Sequence, residues 1–140
     1  MASLKRLACI VEDLREIRNS GVVSADTAVR KIVAFLQECE ADPDVLSWNR
    51  VIGDATVSDF DYNLDKYQEL QGQGINAFRA KILDLTRVQL EYRIIYVHFE
   101  RRDTYIVMAV LPRAIAYDAD NPKTRRIVAS YASLVADGWQ

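Results

Sequence analysis

At 140 residues, half of them hydrophobic and 27% charged, the chain is long enough to bury one core and too short for two large domains. Its formal net charge of −2 excludes a general polyanion binder, because nonspecific affinity for nucleic acid grows with the number of Lys and Arg contacts. Lys5, Arg6, Glu12, Asp13, Arg15, Glu16 and Arg18 interrupt the first twenty residues, which therefore offer neither a signal-peptide core nor a membrane span; a cytosolic protein without a membrane partner is expected.

In chain order, Leu4, Leu7, Val11 and Leu14 recur at helical spacing, with Ile10 and Ile17 beside them, and predict a helix over Ser3–Ser20 stopped by Gly21. That reading leaves no strand ahead of the helix. Ser24 is a candidate N-cap for a second helix running to about Glu40, with Val29, Ile32, Val33 and Leu36 inward, and the two predict an antiparallel hairpin. Asp42-Pro43-Asp44 breaks the pattern, a strand-like run follows at Asn49–Ile52, and a short helix is expected over Asp59–Leu70. Asp59 to Asp65 imitates the opening of a calcium loop, but Leu64 and Leu70 replace its obligatory Gly and Glu, so it is read as an acidic helix start.

Three strands then follow, Phe78–Leu83, Tyr92–Phe99 and Thr104–Arg113, joined around Thr86–Gln89 and by a tight turn at Arg101-Arg102-Asp103. Asp120 or Asn121 caps a last helix with Pro122 in its first position and Ile127, Val128, Tyr131 and Leu134 on its apolar face. The expected fold is α+β, one domain over 1–140: a helical hairpin packed on a small antiparallel β-meander with a C-terminal helix. Charge follows that division. Residues 1–72, expected to be mainly helical, carry 8 Lys/Arg against 13 Asp/Glu, net −5; residues 73–140 carry 10 against 7, net +3.

The strands carry cations. Arg79 and Lys81 share a face of the first; Arg93 shares a face with Ile95, Val97 and Phe99; Arg113 ends the line of Tyr105, Val107, Ala109 and Leu111, with Tyr117 just beyond. Read as ordinary residues, Arg79 and Lys81 form a solvated strand face, and Arg93 caps the sheet by pairing with Glu91 or Asp84. Tyr92, Tyr96 and Tyr105 are packing residues, as are Trp48 and Trp139, the second of them exposed near the terminus. His98, the only histidine, alternates onto the face opposite Arg93 and is read as structural. Cys9 and Cys39 lack ligand or redox spacing and read as core or partner-facing thiols. No metal set, Gly-rich phosphate loop or Ser/His/Asp grouping can be assembled, so no cofactor and no metal are expected.

Leu70-Gln71-Gly72, Phe78-Arg79-Ala80-Lys81, Tyr92-Arg93-Ile94-Ile95-Tyr96, Val110-Leu111-Pro112-Arg113 and Tyr117, in that order, resemble the RelE/ParE superfamily of bacterial type II toxins. The resemblance covers the second half of the chain, and the helical hairpin matches the pair that packs on the family's sheet. It implies a RelE-like fold and a metal-independent endoribonuclease that cuts mRNA in the ribosomal A site, the RNA 2′-hydroxyl attacking the neighbouring phosphate. Arg79, Arg93 and Arg113 would hold that phosphate, Lys81 would take or relay the hydroxyl proton, and Tyr117 would orient the nucleotide by stacking or through its hydroxyl. Because Arg79 stays protonated, proton transfer falls to Lys81. The implied partners are a cognate antitoxin, the ribosome and mRNA. The alternatives are a noncatalytic or ParE-like, gyrase-directed member of the same fold, and an acidic N-terminal half acting as an oligomerisation or self-inhibiting element.

Overall fold

The computed structural model describes residues 2–48 and 61–139. The strand-like run expected at Asn49–Ile52 lies outside them. A five-stranded mixed sheet of order β1-β5-β4-β3-β2 forms the centre, with strands Ser3–Arg6 (β1), Tyr62–Lys66 (β2), Ala77–Ile82 (β3), Tyr92–Phe99 (β4) and Thr104–Pro112 (β5). The class is α+β, as expected, but the sheet is not purely antiparallel: β1 runs parallel to β5, with Ser3 opposite Thr104 and Arg6 opposite Val107.

Two strands come from the stretch expected to be helical. Leu4 and Leu7 have helical spacing, yet Leu4 packs on the core under one sheet face and Leu7 on the core over the other. Helix α1 therefore begins only at Cys9 and runs to Arg18, with Ile10, Asp13 and Ile17 buried and Val11 exposed. Tyr62–Lys66 is likewise strand rather than helix. Leu64 is buried, Tyr62 packs on Phe35 and donates to the Val45 carbonyl (2.7 Å), and Asn63 and Asp65 face outward, a strand alternation that overrides the acidic helix signal. The helix there is reduced to Gln68–Gln71 (α3).

Helix α2 spans Ala25–Ala41. Ser24 precedes it as expected but sits in the left-handed region (φ 67°) and makes no side-chain cap bond. Short helices Leu83–Thr86 (α4) and Arg113–Ala116 (α5) follow β3 and β5. The final helix, Pro122–Ala136 (α6), starts as its sequence predicts, the Asn121 side chain accepting from the Lys123 N–H at 2.9 Å. The α1/α2 hairpin covers one face of the sheet, on Phe78, Ile94, Tyr96, Val107 and Val110. The other face, with Ile95, Val97, Ile106, Met108 and Leu111, packs on Ile127, Val128, Tyr131 and Leu134 of α6 and on Trp139. Trp139 is partly buried rather than exposed: it meets Phe99 edge-on at 5.3 Å, with the Arg102 guanidinium 4.2 Å from its ring centre.

Simple alternation fails in β5. Ile95 faces Ala109 but Tyr96 faces Val107, so Met108 is an extra residue in a bulge. Tyr105 and Val107 consequently point to the hairpin side, whereas Ala109 and Leu111 point to the α6 side, and all four do not share a face. Beyond β1, residues at the start of α1 complete the edge of β5. The Leu7 N–H donates to Val107, the Cys9 thiol to the Met108 carbonyl, and the Val110 N–H to the buried Asp13 carboxylate (3.0 Å). Arg126 of α6 grips the same carboxylate with two bonds of 2.9 and 2.7 Å, which is why an aspartate is the inward residue of α1.

Candidate functional site

The cationic strands meet on the α6 side of the sheet, at the end where β4 begins. In the β3–β4 register Arg79 lies opposite Ile95 and Ala80 opposite Ile94, so the next step brings Lys81 beside Arg93. In the β2–β3 register Asp65 faces Arg79 and Asn63 faces Lys81. Arg113 opens α5 directly after β5, and one helical turn, closed by the Tyr117 N–H on the Arg113 carbonyl (3.1 Å), swings Tyr117 back over the sheet.

The Tyr117 ring is the point of convergence. The guanidinium carbons of Arg79, Arg113 and Arg93 lie 3.9, 5.6 and 5.9 Å from its centre. Arg79 is clamped between this ring and that of Tyr67, 3.7 Å away on the other side, and its Nε donates to the Ala116 carbonyl (3.1 Å). The Tyr67 hydroxyl is buried and has no hydrogen-bond partner among the described residues. Burial raises its pKa, against the pull of the neighbouring Arg79. A cleft of about 140 Å³ opens beside Tyr117, lined by Asn63, Leu64, Asp65, Arg79, Lys81 and Arg93.

Carboxylates hold most of these cations. Glu69 lies 3.6 Å from Arg79 Nη2. A single oxygen of Glu91, Oε2, sits 3.1 Å from Arg93 Nη2 and 3.7 Å from Arg113 Nε. Arg93 also donates to the Tyr92 carbonyl, and its buried Nε has no partner among the described residues. Of the two partners weighed for Arg93, Glu91 is the one used; Asp84 pairs with Arg87 and Lys31. Lys81 makes no ion pair among the described residues. Arg79 is only 4% exposed, so it does not form a solvated strand face with the half-buried Lys81, and Arg93 is 3% exposed, whereas the Arg113 side chain is 61% exposed and does not line the cleft.

The structure thus brings Arg79, Lys81, Arg93 and Tyr117 into one cleft and places Arg113 at its rim. Sequence pattern gives no signal for Asn63, Asp65 or Glu69: the first two lie in a strand where the pattern predicts helix, and Glu69, in α3, meets Arg79 only through the tertiary fold. His98 sits on the opposite face, stacked on Tyr105 (4.1 Å between ring centres) with Nε2 3.1 Å from Asp103. Cys39 is fully buried, and burial pushes its thiol pKa far up. A larger, more apolar cleft of about 330 Å³ lies across Glu91, with Ile17, Val22, Tyr92, Leu111 and Ile115 in its walls. No helix among the described residues is long and apolar enough to cross a membrane. No family model, curated protein or solved structure matches this chain.

Proposed function

We propose that the protein is a RelE-like endoribonuclease toxin that cleaves mRNA in the ribosomal A site and is neutralised by a cognate antitoxin. The observation that carries this reading is the gathering of three guanidinium groups on the Tyr117 ring with Lys81 in the adjoining cleft. The strand ahead of the helical hairpin supports it as well. In the reaction the 2′-oxygen forms a bond to phosphorus, the bond from phosphorus to the 5′-oxygen breaks, and the products are a 2′,3′-cyclic phosphate and a 5′-hydroxyl. Lys81 handles the hydroxyl proton, Arg79, Arg93 and Arg113 balance charge on the phosphoryl oxygens, and Tyr117 offers a ring face to the nucleotide. Fixed cations aimed at developing charge supply the rate enhancement, and no metal is called for in this chemistry.

The test is direct. Purified protein added to translating ribosomes cuts the message within the A-site codon, and Lys81→Ala or Arg113→Ala lowers the rate at least about a hundredfold. Neither side chain is in a core, so both variants fold; intact message with wild-type protein at micromolar concentration sinks the nuclease reading. The burial of Arg79 and Arg93 with internal partners favours a second reading, a ParE-like or otherwise protein-binding member of the same fold. Inhibition of DNA gyrase supercoiling with mRNA left intact would select it.

A further inference from the structure

The cleft is far less positive than its cations suggest. Arg79, Lys81, Arg93 and Arg113 contribute four positive charges, but Asp65 lines the same cleft, Glu69 pairs with Arg79, and Glu91 bridges Arg93 and Arg113 through one oxygen. Four cations against three carboxylates leave a net charge near +1. Glu91 holds the strategic position among the three. It touches both arginines that flank Tyr117, it is half-exposed, and the Arg113 N–H donates to its own carbonyl (2.9 Å), which fixes the two residues side by side.

Any anion that uses Arg93 and Arg113 must displace that carboxylate. A phosphodiester brings one negative charge and removes one, so the exchange gains little electrostatically. A dianionic phosphoryl group brings a second charge, which Lys81 and the unpartnered Nε of Arg93 can answer. We propose that Glu91 is an internal competitor of the cleft: every phosphoryl anion that uses Arg93 and Arg113 must displace its carboxylate, so singly charged diesters bind weakly and only a dianion, its second charge answered by Lys81, gains enough to bind well. The inference rests on the phosphate-binding part of the function proposed above and deepens it. The phosphorane formed by attack of the deprotonated 2′-oxygen is itself dianionic, so the cleft, once Glu91 is displaced, holds the transition state more tightly than the ground-state diester.

The experiment titrates the full-length protein at pH 8 with methyl phosphate, a dianion there, and with dimethyl phosphate, a monoanion, following backbone amide shifts of Arg93, Arg113 and Tyr117. Wild type binds methyl phosphate at least about tenfold more tightly than dimethyl phosphate. Glu91→Gln keeps the side chain's shape and, by removing the competitor, tightens both ligands roughly fivefold. Glu91→Asp, which keeps the charge on a shorter arm, tightens neither ligand as much. Unchanged or weaker dimethyl phosphate binding in Glu91→Gln overturns the proposal, as does a wild type that binds neither ligand. A wild type that shows the preference yet leaves mRNA intact refutes the nuclease reading alone. Cleavage of mRNA with unaltered affinity for both ligands in Glu91→Gln refutes the Glu91 inference alone.

Discussion

Tyr117 separates a ring contribution from a hydroxyl contribution, because Phe keeps one and Leu removes both. Its ring closes over Arg79, which is almost wholly buried, at 3.9 Å, and meets Arg113 and Arg93 only at 5.6 and 5.9 Å, near the limit of useful cation–π contact. A desolvated cation–π pair is worth about 2 kcal/mol and a marginal one about 0.5 kcal/mol or less. Part of the Arg79 contribution persists on removal, since Tyr67 still stacks from the other side and the Ala116 carbonyl still accepts from Nε. Tyr117→Leu therefore destabilises by about 1–3 kcal/mol and Tyr117→Phe by less than about 0.5 kcal/mol. Urea unfolding followed by far-ultraviolet circular dichroism measures both, and with a slope of about 1–3 kcal/mol per molar the Leu midpoint falls by roughly 1 M. A Tyr117→Leu midpoint within error of wild type would refute the claim that the ring organises the arginines. A Tyr117→Phe loss as large as that of Leu would assign the effect to the hydroxyl.

Three further outcomes are expected. Asp13→Ala leaves the Val110 N–H and the Arg126 guanidinium without their carboxylate and costs about 3 kcal/mol, toward the lower end for a broken buried pair because Arg126 is partly exposed; a midpoint shift equivalent to less than about 1 kcal/mol contradicts the edge-completion role. Tyr67→Phe removes a buried, unpartnered hydroxyl and is neutral or stabilising by up to about 1 kcal/mol, whereas a clear loss would reveal a bond that Arg79 or water makes to it. Stability falls in alkali through Cys39 and Tyr96, whose folded pKa values burial holds above the ordinary 9.0 and 10.0. Each contribution is fully present below the ordinary value. As pH rises past it, the unfolded chain releases the proton while the folded chain keeps it, so each group removes about 1.4 kcal/mol per pH unit until its folded pKa is reached. Unfolding curves from pH 8 to 11 check this, and Cys39→Ala should flatten the first part of the decline.

Strong local signals were legible where burial and pattern agree. The continuous run of β-branched and aromatic residues from Tyr92 to Phe99 is a strand over that same range, and Asn121-Pro122 starts α6 as its capping chemistry requires. Short elements were not, because four or five residues carry too little periodicity to outvote their surroundings. Leu4 and Leu7 continue a helical spacing into Val11 and Leu14, and only pairing with β5, a hundred residues away, puts Leu4 in a strand and ties the Leu7 N–H to Val107. The Met108 bulge leaves no mark in composition, so the faces of β5 were assigned as if alternation were unbroken. At the site the cations were legible because they follow strand motifs. Their carboxylate neighbours mostly were not: Glu69 pairs with Arg79 from α3, and Asp65 lies opposite Arg79 across a strand pair that sequence alone does not specify.

Of the two strands that local pattern does not reveal, β2 changes the character of the cleft. With β3 and β4 alone, Arg79, Lys81 and Arg93 would line a sheet edge open to water, where cations are well solvated and hold an anion weakly. Strand β2 pairs along β3 from Ile82 to Phe78 and sets Asn63 and Asp65 against Lys81 and Arg79, turning that edge into a walled recess. A recess excludes water and strengthens each remaining charge interaction, but its acidic wall and the bridging Glu91 lower the net charge at the same time. The two effects together favour a small, highly charged group over a long polyanion. In a chain whose overall charge is negative, such a recess attracts nucleic acid poorly from a distance and acts only on a group brought close to it.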